Sequence, residues 1–124
     1  MLTIFGIWLF GGLGALARYG LGGLVSNRYP TAFPWGTFVV NVTGALVLGL
    51  LFTLFTDRVA AAPWLRSTLT IGFLGGYTTF STLSLETFRL VQDRAYGLAV
   101  ANAAGSAIAG VVAVYVGVVI ARTV

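Results

Sequence analysis

Between two charge-free hydrophobic flanks the chain reads Gly75-Gly76-Tyr77-Thr78-Thr79-Phe80-Ser81-Thr82. This glycine-rich and hydroxyl-rich stretch interrupts an apolar segment in its middle, and we interpret it as a break in a membrane-spanning helix. Lipid cannot hydrogen-bond to backbone groups that leave helical geometry, so such a break persists only where protein, water or an ion supplies partners. The stretch therefore predicts a bound ion or a permeation path nearby.

The composition of the chain places this break in a membrane. Hydrophobic residues make up 58% of the chain and charged residues 8%, and the mean hydropathy is +0.97. A soluble domain carries about 25% charged residues. Charge-free runs cover 1–17, 29–56, 67–85 and 95–121, and a spanning helix needs roughly 20 apolar residues. We therefore predict one all-α membrane domain, residues 1–124, with four transmembrane helices at about 2–25, 35–55, 65–90 and 96–121.

Several kinds of chemistry are excluded by what the sequence lacks. Cysteine and histidine are both absent, which excludes disulfides, thiol nucleophiles, Cys/His metal sites and histidine proton relays. There is also no Ser/His/Asp set, no pair of carboxylates in an apolar segment and no glycine-rich phosphate loop followed by lysine. We therefore predict that the protein is not an enzyme.

Arginines near the helix ends give almost no orientation signal. The two membrane faces would carry equal numbers of loop arginines, Arg58, Arg66 and Arg122 on one and Arg28, Arg89 and Arg94 on the other. Arginine normally stays on the cytoplasmic side, so only Arg18 favours one orientation. Insertion in both orientations, which permits an antiparallel dimer, is one interpretation. A fixed orientation is the other.

Two of the predicted helices carry a pair of polar residues within their apolar stretches. Thr37 and Asn41 lie on the second helix, and Asn102 and Ser106 lie on the fourth. Residues spaced i, i+4 share a helix face. Hydroxyls and amides can replace the water around a small hydrated anion without holding it as tightly as a full charge would. The pairs therefore predict a polar track, with interhelical hydrogen bonding as the alternative.

Two charged residues lie close to the apolar segments. Arg18 either adds a positive field at one end of the track or extends its side chain to the membrane surface. Glu86 follows the break, and its spacing to Arg89 predicts an ion pair on the helix surface.

Three motifs together resemble the Fluc (CrcB) fluoride channels. They are the break at 75–82, Gly36-Thr37-Phe38-Val39-Val40-Asn41-Val42-Thr43-Gly44 in the second helix, and Gly14-Ala15-Leu16-Ala17-Arg18 in the first. The likeness covers essentially the whole chain and is weakest in the fourth helix. It implies an antiparallel, dual-topology homodimer in the cell (inner) membrane, with two pores that export cytoplasmic fluoride passively.

The resemblance also implies a structural sodium ion on the dimer axis. The backbone carbonyls of Gly75 and Thr78 match its ligands, and two antiparallel breaks would supply four oxygen atoms, which suit a hard cation. The resemblance further implies that Phe80 turns its electropositive ring edge towards fluoride. The other positions that match the ion pathway are Asn41, Thr37, Ser81, Ser106 and Arg18, with Asn102 at one further track position.

Two positions depart from the family pattern. Leu83 stands where the family usually has a second phenylalanine, and leucine offers no electropositive edge. Fluoride throughput or selectivity would then be altered, or a paralogous subunit would supply the missing ring in a heterodimer. Asn102 stands where a tyrosine is often found and replaces one kind of donor by another.

Two other functions fit a short four-helix membrane protein. A small multidrug resistance-type proton-coupled exporter needs a membrane-embedded glutamate in its first helix, but no acidic residue precedes Asp57 here. A non-transporting assembly factor would use the break only to bind a structural cation. Anion flux in liposomes distinguishes such a factor from a channel.

Overall fold

A computed structural model describes all residues from Met1 to Val124, and every regular element in it is helical. In chain order the α-helices are α1 (Leu2–Arg28), α2 (Trp35–Thr53), α3 (Pro63–Ser67), α4 (Gly75–Tyr77), α5 (Phe80–Gln92) and α6 (Tyr96–Thr123). A π-helical segment extends α2 over Leu54–Arg58, and a second one joins α3 to α4 over Thr68–Leu74.

Three unbroken helices are long and apolar enough to cross a membrane, namely Leu2–Arg28, Trp35–Arg58 and Tyr96–Thr123. The third crossing is different, because it consists of two half-helices, 63–77 and α5, that meet at Thr78 and Thr79. The prediction of an all-α membrane protein with a break in its third span is therefore confirmed. The break is narrower than the predicted 75–82, since α4 and the first turn of α5 keep helical geometry.

Prolines explain two helix ends that the sequence analysis placed wrongly. α1 was predicted to end at 25 but continues to Arg28, and it stops there because Tyr29 precedes Pro30, a position that disfavours helical geometry. The third crossing begins at Pro63 rather than at 65. Proline is favoured at the first helical position because its missing amide would have no helical partner there.

Close backbone contact joins α1 to the first half of the third crossing. A Cβ atom built on Gly14 would lie 2.1 Å from the carbonyl oxygen of Phe73, and one built on Gly76 would lie 2.3 Å from the carbonyl oxygen of Gly11. Only glycine permits such an approach, which lets helices pack tightly in lipid. This packing supports the helical geometry of α4 and so places the break after Tyr77.

A second close contact joins α2 to α6. A Cβ atom built on Gly49 would lie 2.3 Å from the carbonyl oxygen of Val114, and one built on Gly117 would lie 2.2 Å from that of Leu46. α6 is therefore held against the helix that carries Asn41, on the side of the molecule where the break lies.

The buried apolar core lies beside the break. It consists of Val40, Leu74 and Tyr77. The hydroxyl of Tyr77 is hydrogen-bonded to that of Thr43 on α2, at 2.8 Å. A Cβ atom built on Gly44 would lie 2.3 Å from Cγ2 of Thr78, so α2 approaches the broken backbone directly.

A tight turn brings α5 back against α6. Arg94 in this turn has a φ of 58°, the left-handed region that favours glycine. The amide of Ala95 donates to the carbonyl oxygen of Leu90 at 2.8 Å and closes the turn. The two helices then run side by side, which places Thr87 of α5 in contact with Asn102 of α6.

Candidate ion pathway at the helix break

Two residues at the break have extended backbone geometry, with φ and ψ of −83° and 158° at Thr78 and of −149° and 120° at Thr79. In an unbroken helix the amide of Thr79 would donate to the carbonyl oxygen of Gly75, but here it donates to Oδ1 of Asn41 at 2.8 Å. The amide of Thr82, which would donate to Thr78, instead donates to Oγ1 of Thr79 at 3.2 Å. The carbonyl groups of Gly75 and Thr78 therefore lose their helical donors.

Asn41 holds the break with both ends of its side-chain amide. Its Nδ2 donates to the carbonyl oxygen of Thr79 at 3.0 Å, while its Oδ1 accepts from the amide of the same residue. Thr79 is 8% exposed, so these bonds satisfy backbone groups that are shielded from solvent. The sequence allowed either an anion-facing or an interhelical role for Asn41. The structure shows the interhelical bonds, and Nδ2 retains a second hydrogen for another acceptor.

One cavity, of about 380 Å³, lies on one side of the break. Its lining brings together most of the residues predicted from the sequence, namely Asn41, Gly75, Thr78, Phe80 and Ser106, together with Leu83. Phe80 is 81% exposed on the isolated chain, although it sits at the start of a membrane half-helix. The lining is mostly apolar, with the polar groups of Asn41 and Ser106 and the ring of Phe80 among aliphatic side chains, and it carries no charged side chain.

A second cavity, of about 290 Å³, lies on the other side of the break. Its lining includes Arg18, Thr37, Ser26 and Thr82. Thr79 lines both cavities. Arg18 gives the second cavity a positive charge that the first one lacks.

Glu86 takes part in the site in a way that the sequence analysis missed. Its Oε1 accepts a hydrogen bond of 2.7 Å from Oγ1 of Thr37, which ties α5 to α2. The prediction that Glu86 forms a surface ion pair with Arg89 was wrong, because the carboxylate turns towards α2. The available signal was spacing: Glu86 lies seven residues after Thr79, and Thr37 lies four before Asn41, so both pairs share a helix face.

The remaining predicted residues are placed differently. Ser81 is exposed and lines neither cavity, and its Oγ lies 3.5 Å from Oγ1 of Thr79. Asn102 is fully buried, and its Nδ2 donates to Oγ1 of Thr87 at 3.0 Å. The hydroxyl of Ser106 is buried without any hydrogen-bond partner.

Fold and site together define a multi-pass helical membrane protein with two cavities, each containing some polar groups, beside a broken helix, which is an arrangement found in channels and transporters. The chain belongs to the CrcB family, since residues 5–118 match the family model described as CrcB-like protein, Camphor Resistance (CrcB).

Relatives that align along nearly their full lengths agree with this assignment. The chain is 46% identical to the fluoride-specific ion channel FluC of Solibacter usitatus, over 94% of this chain and 95% of the relative. It is 45% identical to the protein of the same name from Geotalea uraniireducens, over 98% of both chains. For that of Geobacter metallireducens the identity is 48%, again over 98% of both chains.

Proposed function

We propose that this protein is a fluoride-selective channel of the cell membrane that lets cytoplasmic fluoride leave passively. The observation that carries the proposal is the break itself, whose Thr79 peptide is held by Asn41 and whose Thr79 residue lines two cavities. Membership of the CrcB family and relatives named as fluoride-specific channels support it.

The first cavity offers the contacts that a small anion needs. Asn41 has one Nδ2 hydrogen free, and the hydroxyl of Ser106 has no partner. The ring edge of Phe80 is electropositive and can face an anion. These neutral groups replace water without the tight binding that a buried positive charge would cause. Fluoride loses its hydration shell gradually along such a lining and can still leave.

The second cavity binds the anion at the other end of the pathway. Arg18 supplies a positive field, and the hydroxyls of Thr79 and Thr82 continue the polar lining. The hydrogen of Thr37 is already donated to Glu86, so Thr37 acts on the anion indirectly, by holding that carboxylate in a fixed position. Ser81, next to Thr79, lies on the exposed side of the break and contributes its hydroxyl there.

A second copy of the chain, inserted antiparallel, completes the site. Phe80 and Gly75 are exposed at membrane depth on a single chain, beside a cavity that holds polar groups. Lipid would be a poor neighbour for those polar groups. The balanced loop arginines fit insertion in both orientations. A homodimer then has two equivalent pathways. In a heterodimer with a paralogue, the paralogue would supply the aromatic ring that Leu83 does not provide.

A sodium ion fits between the two breaks. The carbonyl groups of Gly75 and Thr78 have lost their helical donors, so both oxygen atoms can act as hard ligands. Two antiparallel chains supply four such oxygens. When bound, the ion adds positive charge close to the pathways and holds the two broken helices together.

Fluoride efflux from proteoliposomes that contain only this chain tests the proposal. We expect fluoride to leave much faster than chloride. We also expect Phe80→Ile to lower fluoride efflux strongly, because isoleucine has no electropositive ring edge. Phe88→Ile is the matched control, since Phe88 is an exposed phenylalanine on the same helix that lines neither cavity. Equal fluoride and chloride efflux, or equal effects of the two substitutions, would refute the assignment.

A further inference from the structure

The side chain of Asn102 is satisfied at one end only. Its Nδ2 donates to Oγ1 of Thr87 at 3.0 Å, but its Oδ1 is buried without a partner. The residue as a whole is 0% exposed. The large majority of buried polar atoms in proteins have a partner, which is either protein or ordered water. Something other than the chain itself is therefore expected at Oδ1.

Thr87 decides which end of the amide is left over. A threonine hydroxyl has one hydrogen, and that of Thr87 is donated to the carbonyl oxygen of Leu83 at 2.8 Å. Its oxygen can then only accept, so the Asn102 atom that faces it has to be Nδ2. The hydrogen bonds alone thus fix the orientation of the amide, and Oδ1 is turned away from α5.

Ser106 presents a second unsatisfied group on the same helix face. It follows Asn102 by one helical turn, and residues at this spacing are neighbours on the helix surface. Its hydroxyl is buried, has no hydrogen-bond partner and belongs to a residue that lines the first cavity. Several other intramembrane hydroxyls of this chain donate to a carbonyl of their own helix, as Thr87 and Thr43 do. Ser106 does not.

We propose that Thr87 is a positioning residue that turns the Asn102 amide so that Oδ1 and the Ser106 hydroxyl hold a water molecule. The water accepts the hydrogen of Ser106, donates one hydrogen to Oδ1 and keeps the other for an anion. A water with this many polar partners is well suited to a buried site. Fluoride on α6 then meets the water rather than the amide, an inference that rests on the proposed channel function.

Removing the hydroxyl of Thr87 tests this arrangement. In Thr87→Val the amide of Asn102 loses its acceptor and can turn, so that Nδ2 points away from α5 and donates directly to the anion. A direct amide contact holds fluoride more tightly than the water does. We expect the half-saturating fluoride concentration for efflux to fall about tenfold, equivalent to about 1.4 kcal/mol, and the maximal flux to fall as well. Thr87→Ser keeps the hydroxyl and should therefore keep the wild-type half-saturating concentration.

Two further comparisons separate a positioning role from a merely structural one. In an Asn102→Leu background, Thr87→Val should have no further effect on the half-saturating concentration, because no amide remains to turn. An unchanged value in Thr87→Val alone, or a full effect in that background, overturns the proposal.

A high-resolution crystal structure gives a readout that does not depend on transport. Density for a water within hydrogen-bond distance of both Asn102 Oδ1 and Ser106 Oγ is expected in the wild type and should be lost in Thr87→Val. Absence of this water from the wild type overturns the proposal. Failure of the wild type to conduct fluoride would instead refute the proposed function and leave the water test to decide the role of Thr87.

Discussion

Replacing Asn41 by leucine should destabilise the protein through the break alone. Leucine has a similar size but cannot pair with the peptide of Thr79, so two hydrogen bonds are lost. If each contributes the average of about 0.6 kcal/mol measured inside membranes, the loss is about 1 kcal/mol. If the amide and carbonyl of Thr79 are both left unpaired, the loss is about 2–6 kcal/mol. We expect at least about 2 kcal/mol, because extended backbone offers no helical partner.

Asn102→Leu is the matched control for this substitution. Both asparagines lie in transmembrane helices, but Asn102 makes one hydrogen bond within the chain and none to a backbone group. Its replacement breaks no backbone hydrogen bond and leaves Thr87 bonded to Leu83. We therefore expect a change in the free energy of unfolding of less than about 1 kcal/mol.

The free energies of unfolding can be compared by denaturant titration in detergent micelles, with helical circular dichroism as the signal. Fluoride efflux from proteoliposomes should fall in parallel for Asn41→Leu, since the same side chain lines the first cavity. The reasoning is refuted if the free energies of unfolding of the Asn41→Leu and Asn102→Leu proteins differ by less than about 0.5 kcal/mol. The hydrogen bonds between Asn41 and the broken peptide would then contribute no measurable stability.

Three other predictions concern packing, the turn and the cation. Gly117→Ala should cost about 1–3 kcal/mol in unfolding titrations by forcing α6 away from α2, whereas Gly110→Ala, where an added Cβ meets nothing within 4 Å, should be neutral or slightly stabilising; equal effects would contradict the packing argument. Arg94→Gly should raise the free energy of unfolding by up to about 1 kcal/mol by relieving the left-handed backbone, and a decrease would show that the arginine side chain matters more. Purification with a large organic cation in place of sodium should lower fluoride efflux, because the carbonyl oxygens at the break then have no sodium ion to bind. Unchanged efflux would contradict the proposed sodium site.

Much of the fold could be predicted because lipid restricts the choices. Long charge-free runs in this solvent have to be helices, and a glycine-rich polar stretch inside one run favours a break. The extent of the break could not be predicted, because it depends on packing between segments far apart in the chain. Gly76 looks like a helix breaker in the sequence but stays helical, since it lies against Gly11 of α1.

The site was predictable by residue type and less so by contact. The resemblance to the fluoride channels implied that Asn41, Phe80 and Ser106 belong to one pathway, and all three line the first cavity. The acceptor to which each donor gives its hydrogen could not be predicted from residue spacing. Thr37 gives its hydrogen to Glu86 because the clamp between Asn41 and Thr79 brings α2 and α5 into register, and this depends on the three-dimensional pairing.

Thr79 borders both cavities, so a movement of its side chain changes the lining of both. Its peptide is fixed by Asn41, whereas its side chain is held by two bonds to Thr82, one to the hydroxyl and one from the amide of that residue, so a rotation of the side chain has to break both. Side-chain rotations of this kind take picoseconds to nanoseconds, whereas helix movements take microseconds or longer. In the proposed channel, exchange between the two cavities can therefore follow side-chain rotation at Thr79 without movement of the surrounding helices.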